Sequence, residues 1–135
     1  ERGDVLTISI HADPARFYPF VWGHAHEIGA GAGRGANLNI PLPLGTGDDG
    51  FIAALARAKA TLAAFAPGAL VVALGLDASE HDPLAGLTVT TDGFHRIGAA
   101  IASIGLPTVF VQEGGYLCDA LADNLTAFLT GLEDN

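Results

Sequence analysis

Ala69-Leu-Val-Val-Ala-Leu-Gly-Leu-Asp77 and Pro107-Thr-Val-Phe-Val-Gln-Glu-Gly-Gly-Tyr116 share one order: a strand-like run, continuous and apolar in the first, then glycine beside a side chain capable of chemistry. A continuous apolar run of this length is the pattern of a strand buried on both faces, as in a parallel sheet. Between them, Phe94, Ile97, Ile101 and Ile104 recur at helical spacing. Thr91 is placed to cap that helix and Gly105 to end it. Strand, helix, strand in this order implies a parallel crossover. In open α/β sheets chemistry collects beyond the carboxyl ends of the strands, where both stretches carry their polar residues.

The same alternation extends outward. Asp4-Val-Leu-Thr-Ile-Ser-Ile10 is rich in β-branched residues and reads as a strand. Residues 11–36 have no period and hold proline, aromatics and glycines, which reads as a long functional loop. Asn37-Leu-Asn-Ile40 is a short strand closed by Pro41 and Pro43. A helix follows, with Thr46 or Asp48 as its cap. Its apolar face is Phe51, Ile52, Leu55, Ala58, Leu62 and Phe65, and Pro67-Gly68 ends it. Leu121, Leu125, Phe128 and Leu132 mark a last helix. The expected fold is α/β: one three-layer αβα unit around a mostly parallel sheet, over residues 1–135.

With 15 acidic and 6 basic residues among 135, the formal net charge is -9. Such a chain repels nucleic acid and anionic membranes and attracts cations. Its apolar runs, interrupted by glycine, proline or charge, fall short of the roughly 20 residues of a membrane span. The single cysteine, Cys118, excludes an intrachain disulfide and fits a reducing, cytoplasmic setting. Mean hydropathy of +0.39 is high for a free-standing domain and suggests surfaces meant to be covered. An opening at Glu1-Arg-Gly-Asp4, without Met and directly before a strand, is expected of a trimmed start.

Asp77 at a strand's carboxyl end can ligate a metal, or simply close a turn. Asp82-Pro83 adds a second carboxylate, with turn formation as its other reading. In Glu113-Gly-Gly-Tyr116 the glycines allow close backbone approach and free the Tyr116 hydroxyl to donate to a developing oxyanion. Otherwise Tyr116 merely faces solvent. Gly31-Ala-Gly-Arg-Gly-Ala36 has the letters of a dinucleotide loop, but it follows a loop and enters a strand, so it is set aside. His24-Ala-His26 has metal-like spacing without a partner, His81 and His95 read as surface residues, and Cys118 lacks an identifiable base. His11 closes the first strand beside the expected crevice.

Taken in order, Ser9-Ile-His11, Phe17-Tyr-Pro19, the Gly-rich loop into Asn37-Leu-Asn-Ile-Pro-Leu42, Gly75-Leu-Asp77 with Asp82-Pro-Leu84, and Glu113-Gly-Gly-Tyr116 resemble the histone deacetylase and acetylpolyamine amidohydrolase family along the whole chain. The Glu-Gly-Gly-Tyr form is more similar to bacterial amidohydrolases and the second eukaryotic class than to the nuclear class. The resemblance implies an arginase/deacetylase-like fold. It makes Asp77 a zinc ligand, Tyr116 the catalytic tyrosine and Asp82 a supporting residue. Ser9 and Ile10 would hold a potassium ion through a hydroxyl and a carbonyl. Tyr18, Leu84 and Gly114 would line the acyl-lysine tunnel. Ala36 departs from the pattern, standing where relatives often carry an aromatic.

The family's other zinc ligands, in an Asp-x-His motif, and its proton-handling His-His pair are expected just before this chain begins, and no His-His dipeptide occurs in this sequence. The resemblance therefore implies the C-terminal portion of one catalytic domain. That domain would hydrolyse acetylpolyamine or acetyl-lysine amides with zinc, or with iron or cobalt, which suit the same ligands. The N-terminal portion of the same domain would be this chain's partner, and the chain alone is expected to be inactive. Two other readings stay open: a non-catalytic binder of polyamines or basic peptides, and a hydrolase of another amide on the same fold.

Overall fold

The computed structural model describes residues 2–134. Four strands form two parallel pairs. Strand β1 (Thr7–Ala12) pairs with β2 (Asn37–Leu42), Thr7 opposite Asn37 and Ala12 opposite Leu42. Strand β3 (Leu70–Leu74) pairs with β4 (Thr108–Gln112), Leu70 opposite Thr108 and Leu74 opposite Gln112. Every pairing is parallel, as the strand and helix order predicts. The described strands nevertheless form two separate ladders rather than one sheet. The first strand also runs two residues further than its β-branched stretch suggests, carrying His11 and Ala12 within the ladder.

Helix α1 (Asp48–Phe65) follows β2, α2 (Thr91–Ala102) connects β3 to β4, and α3 (Leu121–Glu133) follows β4. Their caps differ from expectation by one residue. Thr90, not Thr91, caps α2, its hydroxyl accepting from Gly93 N at 3.1 Å. Thr91 is then the first helical residue. Gly47 precedes α1 without a side-chain cap. Asp48, freed from that role, accepts from Thr90 N at 2.8 Å and Thr90 Oγ1 at 2.7 Å, tying the start of α1 to that of α2.

The core lies between β3–β4 and the α2–α3 pair. Phe94, Val89 and Phe128 are fully buried there, with Leu74, Leu76, Ile97 and Ile101 around them. Phe110 of β4 meets Phe128 edge-on, with 5.5 Å between ring centroids. Gly98 and Gly131 let α2 and α3 approach until each lies against the other's backbone, His95 O at Gly131 and Phe128 O at Gly98, with no room for a Cβ. His95 is drawn into this packing as well. It is half-buried with Nε2 2.9 Å from Asp134, rather than a plain surface residue.

One face of β3–β4 stays bare. Val71, Val109 and Val111 are exposed, while Val72 and Phe110 turn towards the helices. Runs that read as strands buried on both faces are thus covered on one. Among the described residues no helix is long and apolar enough to cross a membrane.

Candidate active site

Parallel pairing of β3 and β4 delivers both chemistry-bearing segments to one end of the ladder. Chain reversal there is held by the backbone: Glu113 N donates to Leu74 O at 3.1 Å, and Leu76 N to Gly114 O at 2.9 Å. A 3-10 turn, Leu76–Ala78, buries Leu76 and turns Asp77 outward. The Asp77 carboxylate lies against Gly114 and Gly75. A Cβ on Gly114 would overlap it, and one on Gly75 would come within 2.6 Å of Oδ1. Glycine at 114 therefore makes room for the carboxylate, a more specific task than lining a tunnel.

Asp77 is exposed as a residue, yet its oxygens sit against these two backbones. Loss of water around the carboxylate raises its pKa above the usual 3.8, opposed by a backbone hydrogen bond and reinforced by the negative charge of Asp82. A carboxylate that resists ionisation in isolation, in a cradle a Cβ would fill, suits a nearby cation. The residues here fit zinc as one oxygen ligand. Among the described residues no group of three or more His, Cys, Asp or Glu could hold a metal.

Asp82 is buried and does not face the crevice as a free carboxylate. Its Oδ1 accepts from Leu84 N at 2.8 Å, and its carbonyl accepts from Ala85 N at 3.0 Å, so it shapes the turn that presents exposed Leu84. Tyr116 is half-exposed, and Tyr18 is exposed after a loop that begins at Asp13. Both stand where a partner or substrate can reach them.

Ser9 and His11, in β1, form a second polar pair. His11 Nε2 lies 2.8 Å from Gly23 O, and Nδ1 lies 2.7 Å from Ser9 Oγ. A carbonyl only accepts, so Nε2 carries the proton, and in the neutral ring Nδ1 accepts from Ser9. The Ser9 oxygen then keeps its lone pairs as acceptors, the chemistry a potassium ligand needs. Ile10 follows it in the same strand, with its carbonyl as the donor expected there.

The loop over residues 13–36 is pinned by Glu27, which the sequence did not single out. Its carboxylate accepts from Gly23 N at 2.7 Å, His24 N at 3.1 Å and Asn39 Nδ2 at 3.1 Å. His24 and His26 stack 5.5 Å apart on this loop, with no metal-like cluster around them among the described residues. Cys118 lines an open hollow with His81, Asp119 and Ala120, beside the Glu113–Tyr116 segment.

A sequence model of the histone deacetylase domain matches residues 1–132. The acetylpolyamine amidohydrolase of Burkholderia pseudomallei is 48% identical over 130 residues, which are 96% of this chain and 38% of that protein. Acetylpolyamine amidohydrolase 1 of Pseudomonas aeruginosa is 45% identical over 132 residues, 98% of this chain and 38% of that protein. The crystal structure of an acetylpolyamine aminohydrolase from Burkholderia pseudomallei superposes with a TM-score of 0.94 at 47% identity, over 97% of this chain and 38% of that one. An HDAC homolog crystallised with SAHA gives 0.89 at 32%, over 96% and 35%. The chain thus spans about 38% of the length of the amidohydrolases it matches. With the domain match covering nearly every residue and the fold shared, this chain belongs to the histone deacetylase family.

Proposed function

We propose that this chain forms part of a zinc-dependent amidohydrolase that removes acetyl groups from acetylated amines, acetylpolyamines foremost and acetyl-lysine next. The observation that carries the reading is the delivery of Asp77 and the Glu113–Tyr116 segment to one end of the β3–β4 ladder, with Gly114 cleared of side chain to admit the Asp77 carboxylate. Family membership and the names of the relatives give the reaction class. A net charge of -9 favours cationic substrates over anionic ones.

In this reading Asp77 is one protein ligand of the metal. A bound zinc supplies Lewis-acid polarisation and a water acidic enough to be deprotonated near neutrality. Tyr116 donates its phenolic hydrogen bond to the amide oxygen as negative charge grows there, favouring the transition state over the substrate. Tyr18 and Leu84 flank the acyl chain, and Asp82 fixes the turn that holds Leu84. Ser9 and Ile10 would hold potassium through a hydroxyl and a carbonyl.

The remaining ligands and the base that removes the water's proton come from the N-terminal portion of the domain. One carboxylate alone holds zinc weakly, so the chain by itself is inactive. The bare Val71, Val109 and Val111 face is the surface this portion would cover. Tyr116→Phe in the complete domain tests the reading. It should lower kcat by about 10²–10³ with little change in KM, as removal of one oxyanion donor does. Unchanged kcat would remove Tyr116 from the chemistry.

A further inference from the structure

Two of the most deeply buried side chains in the molecule are polar, and they touch each other. Ser79 is 2% exposed and Asn124, on α3, is 1% exposed. Asn124 Nδ2 donates to Ser79 Oγ at 3.0 Å, and Thr91 Oγ1, in the first turn of α2, donates to Asn124 Oδ1 at 2.6 Å. Ser79 Oγ also accepts from His81 N at 3.1 Å. A buried amide is costly unless its polar atoms are matched, and no buried side-chain nitrogen or oxygen among the described residues lacks a partner.

Holding α2 to α3 does not require this relay. The helices already lock through Gly98, Gly131 and the buried rings of Phe94 and Phe128. What the relay adds is a grip on the loop. Ser79 directly follows the Leu76–Ala78 turn. Its own N–H donates back to Leu76 O at 3.2 Å, and its carbonyl accepts from Asp82 N at 3.0 Å. Val89 N donates to Ala78 O and Glu80 N to Val89 O, both at 3.0 Å, bracketing Ser79. Ser79 is thus the fixed point between Asp77 and Asp82, and Asn124 is what fixes it.

We infer that Asn124 and Ser79 are positioning residues for the active site: α3 sets, through the Ser79 hydroxyl, where the Leu76–Ala78 turn holds the Asp77 carboxylate. Neither side chain reaches the reacting atoms. The inference rests on the reading of Asp77 as a metal ligand.

The test compares Ser79→Ala, Ser79→Thr, Asn124→Leu and Asp77→Asn in the enzyme with its complete catalytic domain. Zinc affinity is measured by competition with a chelator, well below each variant's unfolding midpoint. Ser79→Ala and Asn124→Leu should weaken zinc about tenfold or more, in the range typical of residues that orient ligands, and Ser79→Thr should restore it. Amide exchange at Leu76, Ser79, Glu80 and Val89 should quicken about tenfold in Ser79→Ala, with Phe94 and Ile97 little changed. Wild-type zinc affinity in Ser79→Ala, whatever its unfolding midpoint, overturns the inference, as does exchange that quickens equally throughout. Ser79→Ala removes a single oxygen and so remains decisive should Asn124→Leu fail to fold. Wild-type affinity in Asp77→Asn overturns the reading of Asp77 itself and the inference with it.

Discussion

The Asp77 carboxylate, just past the end of β3, lies against the backbones of Gly75 and Gly114. Only the fold shows that two glycine backbones strip water from it, because Gly114 lies 37 residues on and arrives through the β3–β4 pairing. Its raised pKa has a definite sign in the metal-free protein. A carboxyl whose folded pKa exceeds its unfolded one favours folding fully below the unfolded value, near 3.8, and loses that contribution as pH rises through the folded value. Asp77→Asn should therefore match wild-type stability in acid and exceed it at neutral pH when metal is absent, as read from urea midpoints across pH. In the complete domain Asp77→Asn should also abolish tight zinc binding, so added zinc should stabilise the wild-type domain and not the variant. Ser79, Asn124 and Glu27 escaped the sequence reading because each matters partly through a side-chain partner far along the chain, 45 residues between Ser79 and Asn124 and 12 between Glu27 and Asn39, which no local pattern records.

Strands and helices were more legible than their ends. Apolar runs and helical spacing placed all four strands and three helices, because burial dictates both patterns. Caps were misplaced because Thr90 and Thr91 are equivalent in a linear reading, and the contact of Thr90 with Asp48, 42 residues earlier, selects the first. Thr90→Ala removes the cap and the hydroxyl's share of the tie between α1 and α2, leaving the backbone N–H on Asp48. It should cost about 1–2 kcal/mol in equilibrium unfolding, the upper part of the range for cap loss. Gly114→Ala acts on the other end of the same architecture. The added methyl displaces the Asp77 carboxylate, so zinc affinity should fall at least tenfold while far-UV circular dichroism stays unchanged. Wild-type affinity in this variant would show that the cradle is not needed.

At the scale of the molecule, mean hydropathy of +0.39 pointed to covered surfaces, and the fold locates one of them on Val71, Val109 and Val111. The sequence could not show which face was bare, since a strand buried on both faces and one still awaiting cover on one of them read alike. The isolated chain should therefore bind a hydrophobic dye and self-associate, and Val71→Lys with Val109→Lys should suppress both. The same pair should block assembly with the remainder of the domain. The central claim is that this chain completes, rather than constitutes, a zinc-dependent deacetylase site. Acetate release from an acetylated polyamine, measured with zinc for the pure 135-residue chain and for the chain joined to the rest of its domain, tests it most directly. The account predicts no turnover from the chain alone and zinc-dependent turnover once it is completed. Robust turnover by the chain alone, or none from the completed domain, would contradict it.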